Sequence, residues 1–332
     1  GILDAQESRG LGDVYKRQRS NDSGDGMYNQ ATGQHWYSDS ANYWNMGSGQ
    51  GSGGIRFRDN HDSTIRGYVY FNNSNQMGFL NENGKIELVG SDAPRIDHDP
   101  STRECKGLLI EESRTNLFSG TANMGSPGSR WAVGGARGTQ GANVEGPDGT
   151  LTAFQNVYNG TSGDLNIYYS PIGGSNELST SNSTVYTFSV FAKAEPGNSY
   201  INGIRLRTYG PERSVSYNVI NGTVGASNEG SSSISSKTIV EYPNGWYRCI
   251  MTFTSGTDGN QGFQIYIENE GGNAAALNNS SANGEAMYFW GAQVEAGSYA
   301  TSFIPTSDGQ ESITRGAAVS YTHLTLPTNR EV

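Results

Sequence analysis

The chain has few charged residues and no excess of basic ones. Charged residues make up 16% of the 332 residues, and 32 Asp and Glu against 22 Lys and Arg give a net charge of -10. Because nucleic-acid binding requires a clustered basic face, we expect no nucleic-acid partner. No run approaches the roughly 20 apolar residues of a membrane helix, so we expect no membrane insertion.

Cysteine is also scarce. Cys105 and Cys249 are the only two, and they are far apart in the sequence. A disulfide between them is possible, but two buried thiols are the simpler interpretation. The redox compartment is therefore left open.

Glycine and tyrosine are abundant, with 46 and 19 residues respectively. Glycine and asparagine mark tight turns, while aromatic residues favour strands, and no segment has the periodicity of an amphipathic helix. The segment from Asn81 to Gly84 ends in Asn-Gly, which is typical of a hairpin turn. We therefore predict an all-β protein.

The second part of the chain contains regularly spaced strand patterns. We predict a buried strand at the apolar run 107–112, and longer strands at 129–133, 152–157, 165–170, 184–194, 204–207, 215–219, 237–242, 246–254, 263–268 and 286–295. This spacing, with turn-rich joints, predicts an antiparallel two-sheet sandwich. Residues 19–90 have shorter strands with few apolar residues each, so we expect them to need neighbouring chains, as in a trimeric fibre.

Two groups of motifs resemble known proteins. PRIDHDP at 94–100 and GLLIEESRTNLF at 107–118 resemble the junction found in phage tail-fibre and other virion-associated proteins. YTFSVFAKAEPG at 186–197, NGWYRCIMTF at 244–253 and MYFWGAQVEAGSYATSFIPT at 287–306 resemble the jelly roll of carbohydrate-binding modules with a concanavalin A-like sandwich, in the version attached to phage structural proteins.

The resemblance implies a domain order and a set of partners. It implies a fibre-like short-strand segment at 19–90, a connecting segment with the first sandwich strand at 91–118, and a jelly roll at 107–306. It further implies a homotrimer in a virion or outside the cell, with other virion proteins and a cell-surface glycan as partners. We expect no cofactor, although modules of this kind often hold a structural calcium ion, for which no site is marked.

Both ends of the sequence resemble peptides that recur at the ends of translated metagenomic contigs. GDVYKRQ at 12–18 and the last residues, 319–332, carry this likeness. We expect residues 1–18 and 319–332 to be non-native flanks.

Acidic residues and histidine do not form a recognisable catalytic set. Asp97, His98 and Asp99 lie in one predicted turn, where Asx-turn bonds explain them. Glu111 and its neighbour Glu112 would face opposite sides of a strand, which separates them, whereas glycoside hydrolysis needs facing carboxyl groups. Glu295 is interpreted as a hydrogen-bonded structural group. We therefore expect no enzymatic activity.

Aromatic residues in polar or turn-adjacent sequence are the candidate binding site. Sugar rings stack on tyrosine and tryptophan, which selects Tyr168, Tyr209 and Trp246 as carbohydrate-binding candidates, while Trp290 is expected in the core. Of three hypotheses, we favour a non-catalytic fibre protein whose jelly roll binds cell-surface glycans. The alternatives are a purely structural or trimerisation module without a ligand, and a fragment of an extracellular glycan-degrading enzyme.

Overall fold

In the computed structural model, the chain forms antiparallel β-sheets. The described residues are 26–29, 34–38, 44–47, 54–58, 65–71, 77–90, 94–124, 130–134, 137–161, 165–169, 177–210, 212–229, 233–257, 259–269, 282–307 and 312–321. A 3₁₀ turn spans Pro243–Gly245. No helix in these ranges is long and apolar enough to cross a membrane.

Ten strands precede the sandwich. They are β1 (Gly26–Asn29), β2 (Gln34–Ser38), β3 (Trp44–Gly47), β4 (Gly54–Arg58), β5 (Ile65–Phe71), β6 (Met77–Leu80), β7 (Ile86–Val89), β8 (Ile96–His98), β9 (Cys105–Leu108) and β10 (Arg114–Asn116). They form small sheets: β1, β2 and β3 pair together, and β6–β7 and β8–β9 are hairpins.

The remaining strands build the sandwich and its end. They are β11 (Trp131–Gly134), β12 (Gly138–Gln140), β13 (Phe154–Tyr158), β14 (Leu165–Tyr169), β15 (Leu178–Ser179), β16 (Val185–Ala194), β17 (Ile201–Tyr209), β18 (Arg213–Asn218), β19 (Thr223–Asn228), β20 (Ile234–Tyr242), β21 (Trp246–Thr254), β22 (Asn260–Asn269), β23 (Ala286–Ala296), β24 (Ile313–Arg315) and β25 (Ala318–Tyr321).

Two sheets make up the sandwich. Sheet A has the order β11-β14-β22-β17-β18-β19, with β15 also beside β22, and sheet B has the order β12-β13-β23-β16-β21-β20. Numbered one to eight in chain order, the central strands β13, β14, β16, β17, β18, β21, β22 and β23 are arranged 1-8-3-6 in sheet B and 2-7-4-5 in sheet A. This is the strand order of a jelly roll, so the predicted all-β jelly-roll fold is confirmed.

The core lies between the inner faces of the two sheets. Strand β14 of sheet A alternates strictly: Leu165, Ile167 and Tyr169 are buried, while Asn166 and Tyr168 face outward. Such period-two alternation is what a sheet with one open face requires. In β16 of sheet B nearly every residue is buried, because both faces of this central strand are covered.

The β6–β7 hairpin covers the outer face of sheet B. Leu80 and Ile86 of the hairpin pack in a second apolar cluster with Phe191, Trp290 and Phe303. Gly84 closes the loop at φ 73°, a left-handed conformation that glycine adopts without strain, which confirms the predicted Asn-Gly hairpin. The apolar residues of this hairpin are thus buried within one chain, against the sandwich.

A buried ionic cluster joins the connecting segment to the sandwich. Glu111 accepts a bond from Arg95 at 2.6 Å and one from Arg315 at 2.9 Å, and it also accepts one from the backbone N–H of Ser302 at 2.7 Å. Burial alone would raise the pKa of Glu111, but the charges of Arg315 and Arg95 lower it overall. The motif that resembles phage fibre junctions therefore contains a buried ion-pair cluster that holds the connecting segment against the sandwich.

The predicted buried strand at 107–112 is wrong. Strand β9 ends at Leu108, and Ile110 is 52% exposed, so the apolar run leaves the sheet before its last residues. The apolar pattern was misleading because the run GLLI crosses from a hairpin into the ionic cluster instead of continuing a strand.

Both cysteines are free thiols, and only Cys249 is buried, whereas Cys105 is exposed.

The C-terminal strand β25 pairs with β5, which also pairs with β4. This strand includes Val319–Tyr321 of the segment expected to be a non-native tail, and that expectation stays a prediction. The other expected flank, residues 1–18, lies outside the described residues.

Candidate functional site

The outer face of sheet A presents a row of aromatic and polar side chains. In the register of the sheet, Tyr168 lies opposite Gln264, and Gln264 lies opposite Arg207. One row along, Asn166 lies opposite Tyr266, and Tyr266 lies opposite Arg205. Tyr209 lies two residues beyond Arg207 on β17, opposite Gly262 of β22. We call the six residues Tyr168, Arg205, Arg207, Tyr209, Gln264 and Tyr266 the Arg207 face.

Arg207 is the centre of this face. Its guanidinium donates to both carboxylate oxygens of Glu212, at 3.2 and 3.0 Å, and to Gln264 and the hydroxyl of Tyr266. Hydrogen bonds from Arg207 are the main cause of a lowered pKa of Glu212, which is ionised at neutral pH. Such a two-pronged pair fixes the planar guanidinium in one orientation.

The second arginine of the face is also paired. Arg205 lies 3.1 Å from the Glu268 carboxylate, an ion pair that is not aligned for a hydrogen bond, and its guanidinium stacks 4.7 Å from the Tyr266 ring centre. Tyr266 itself is only 7% exposed, so it supports the arginines more than it meets solvent. The two cations are thus matched by two carboxylates.

Tyr209 lies flat on the sheet because its neighbour is glycine. A Cβ added at Gly262 would lie within 3.0 Å of Cζ, Cε1 and Cε2 of Tyr209, at almost equal distances from the three atoms. Such equal distances mean that the Cβ would enter the face of the ring near its hydroxyl end. The Tyr209 ring therefore covers Gly262 with one face, and the side chain as a whole is half-buried. Burial is the first cause of the raised pKa of Tyr209, followed by the nearby charge of Glu177.

Two of the three predicted carbohydrate-binding residues lie on this face. Tyr168 and Tyr209 are half-buried and separated by a single strand, β22. From ordinary strand spacings their Cα atoms lie about 12 Å apart. The prediction of an exposed Trp246 is wrong: its side chain is 2% exposed and packs in the second apolar cluster, beyond sheet B. The expected core position of Trp290 is confirmed.

Sequence reasoning missed four members of the face, Arg205, Arg207, Gln264 and Tyr266. The signal was present in the alternation of two strands, since IRLR at 204–207 and FQIY at 263–266 each place an apolar residue before each outward arginine, glutamine or tyrosine. Once these strands pair, their outward residues meet in rows.

The acidic residues that were considered for catalysis are structural. Asp99 accepts bonds from the backbone N–H groups of Thr102 and Ser101. The bond from Thr102 is the largest cause that lowers the pKa of Asp99 to about 2, followed by those from Lys106 and Ser101. Glu295 accepts from the backbone and hydroxyl of Thr301 at 2.8 and 2.7 Å. The turn interpretation is confirmed for Asp99, and the hydrogen-bonded role of Glu295 is confirmed. The turn interpretation is wrong for Asp97 and His98, which lie in strand β8 and contact the backbone of Leu80.

A concavity lies between the β6–β7 hairpin and sheet B. It has a volume of about 200 Å³ and is lined by polar side chains that include Glu111, Arg248 and Ser302. Arg248 donates to Ser189 at 3.0 Å, and Glu111 is held in the ionic cluster described above. Because these side chains already bond to neighbouring elements, we interpret the concavity as a gap between packed parts of the fold. Among the described residues, no three His, Cys, Asp or Glu side chains converge as metal ligands.

No family model matches this chain, and no curated protein matches its sequence. Solved structures give weak similarities. The Clostridium thermocellum xylanase 10B fragment with CBM22-1 and GH10 modules, complexed with xylohexaose, is 12% identical over 57% of this chain, with a TM-score of 0.32. The mannan-recognising carbohydrate-binding module TmCBM27 is 11% identical over 57% of this chain and 98% of its own, with a TM-score of 0.30.

A phage structure is also similar. The tripod (BppUct-A-L) from the baseplate of bacteriophage Tuc2009 is 13% identical over 65% of this chain and 77% of its own, with a TM-score of 0.26. This chain spans 30% of the length of the xylanase chain. At such TM-scores these similarities assign neither a family nor a function.

Proposed function

We propose that this chain is a virion-associated, tail-fibre-like protein whose jelly roll binds a cell-surface glycan on the Arg207 face without catalysing its breakdown. The observation that carries the proposal is the position of Tyr168 and Tyr209 on one outward sheet face, flanked by paired polar side chains. The virion part rests on the motifs at 94–118 and 186–306, which resemble fibre-associated jelly rolls.

The chemistry of this face suits a sugar. Aromatic rings that lie flat on a sheet offer an apolar surface for the C–H face of a pyranose, while Gln264 and the fixed Arg207 offer hydrogen-bonding groups beside it. Sheet B cannot offer the same surface where the β6–β7 hairpin covers it. Sheet A is therefore the face of the sandwich that we assign to the ligand.

The absence of catalysis belongs to the same proposal. Glu111 and Glu295 were both considered as catalytic carboxylates, and each is held by several hydrogen bonds: Glu111 by Ser302 and Arg315, and Glu295 by Gln293 and Thr301. A general acid needs a raised pKa, whereas the pKa of Glu111 is lowered. These groups thus serve the fold.

Weak binding at each site is expected. A shallow face with one or two stacked aromatics supplies roughly 4 to 7 kcal/mol, equivalent to a Kd of about 10 μM to 1 mM. A homotrimer would raise the working affinity through avidity, without new contacts.

The test is a glycan array probed with the folded protein, followed by titration of any ligand found. Tyr209→Ala and Tyr168→Ala should each weaken binding, while Tyr200→Ala, which removes a 40% exposed tyrosine outside the face, should not. If no glycan binds, the purely structural module is the better hypothesis. Release of reducing ends from a bound polysaccharide would instead favour the glycan-degrading enzyme.

A further inference from the structure

The charges on the Arg207 face carry information about the class of glycan. Arg205 and Arg207 are the two cations of the face, and each already faces a carboxylate, Glu268 and Glu212 respectively. A third carboxylate, Glu177, lies close enough to Tyr209 to raise its pKa. The local charge is therefore two positive against three negative, on a chain with a net charge of -10.

The geometry of the arginines limits them further. An acidic sugar is recognised through a guanidinium that presents two free N–H groups to the carboxylate of the ligand. The Nε and Nη2 groups of Arg207, which form that fork, both donate to Glu212, and its Nη1 donates to Gln264 and Tyr266. An acidic ligand would have to displace Glu212 before it could use this fork.

We infer that the Arg207 face selects neutral glycans and rejects acidic ones, with Glu212 as the residue that determines this selectivity. The inference rests on the proposed function, because it names the class of glycan for the same site. Glu212 acts by occupying Arg207 and by adding negative charge at the rim, where its side chain is 45% exposed.

Stacking fits the same class of ligand. The flat Tyr209 ring over Gly262 recognises a C–H surface, which carries no charge and is common to neutral hexoses and pentoses. Hydroxyl groups of a neutral sugar can exchange hydrogen bonds with Gln264 without displacing an ion pair. Neutral sugars therefore meet this face without disturbing its paired charges.

The experiment compares neutral and acidic probes on the intact chain. Xylohexaose and a neutral manno-oligosaccharide serve as the neutral probes, and a hexamer of galacturonic acid serves as the acidic one. Calorimetric titration of the native protein should give an affinity at least tenfold higher for one of the neutral probes than for the acidic probe.

Glu212→Gln is the decisive variant, because it removes one negative charge and leaves Arg207 without its counter-ion. The affinity for the acidic probe should rise by about fivefold or more, and the gain should shrink as salt is added. Glu241→Gln, the same change at an exposed position on β20 in the other sheet, should leave both affinities unaltered.

The outcomes separate the two proposals. If none of the probes and no glycan on an array binds, the proposed function fails and this inference fails with it. If the native protein binds the acidic probe as tightly as the neutral ones, the inference is wrong while the proposed function stands. It is also wrong if Glu212→Gln changes the ratio of the two affinities no more than Glu241→Gln does.

Discussion

Replacing Gly262 by alanine should damage the candidate site without unfolding the sandwich. The added Cβ would lie within 3.0 Å of three atoms of the Tyr209 ring, whereas ordinary contact begins at 3.4 Å. The ring would therefore have to lift by about 1.5 Å or rotate away from the sheet. Since Tyr209 is half-buried, solvent is available for this movement.

The expected magnitudes differ for stability and for binding. Crowding of the half-buried Tyr209 ring should cost about 1 kcal/mol of the free energy of unfolding, near the low end for overpacking. Loss of one aromatic stacking surface should cost about 0.5 to 1.5 kcal/mol of binding, which is roughly a two- to tenfold weaker Kd. Thermal unfolding and calorimetric titration measure the two effects separately.

Gly225→Ala is the matched control. Its Cβ would meet Ser216 at 3.4 Å, an ordinary contact, on the edge strand of the same sheet. This variant should bind like the native protein. If Gly262→Ala also binds normally while Tyr209→Ala does not, then the flat orientation of the ring is not what the ligand requires.

Other predictions concern the buried residues. Glu111→Gln should destabilise the protein by about 3 to 5 kcal/mol in urea unfolding, because Arg95 and Arg315 would remain buried together without a counter-charge. Because the pKa of Glu111 is lowered in the folded protein, its carboxylate contributes fully to the free energy of unfolding above its ordinary pKa of 4.5. This contribution is lost as the pH falls through the lowered pKa, so the Glu111→Gln variant should lack this part of the pH dependence of stability. Asn116→Ala removes five buried hydrogen bonds and should lower the free energy of unfolding by at least roughly 2 kcal/mol, and an unchanged urea midpoint would contradict this expectation. Trp246→Ala should cost about 3 to 5 kcal/mol through a core cavity, and a stable variant that loses only glycan binding would restore the original prediction.

The sandwich could be predicted from the sequence because its strands alternate over many residues. The strands expected at 246–254 and 286–295 agree with β21 and β23 to within one residue. The short strand β12, with the sequence GTQ, was not predicted, since three polar or small residues carry no alternation. Strand β19, TVGASN, was also missed, because it is an almost fully exposed edge strand and so lacks the alternation of apolar and polar residues.

The candidate site was predicted only in part. Tyr168 and Tyr209 were selected from polar surroundings, which single strands reveal, but the rows that join them to Arg207 depend on which strands pair. Trp246 was misassigned because it follows the turn Pro243–Gly245, and a turn-adjacent position does not tell whether the chain next enters a covered face. The residues that bury Trp246 include Leu80 and Ile86, which are far from it in the sequence and are brought beside it by the fold.

The central claim is that the Arg207 face binds a glycan, and one comparison tests it most directly. The folded protein, its Tyr209→Ala variant and its Tyr200→Ala variant are applied to the same glycan array at equal concentration. We predict that the native protein and Tyr200→Ala bind the same neutral glycans, while Tyr209→Ala loses most of the signal and keeps its β-sheet dichroism. Binding that survives equally in Tyr209→Ala, or no binding by the native protein, would contradict the claim.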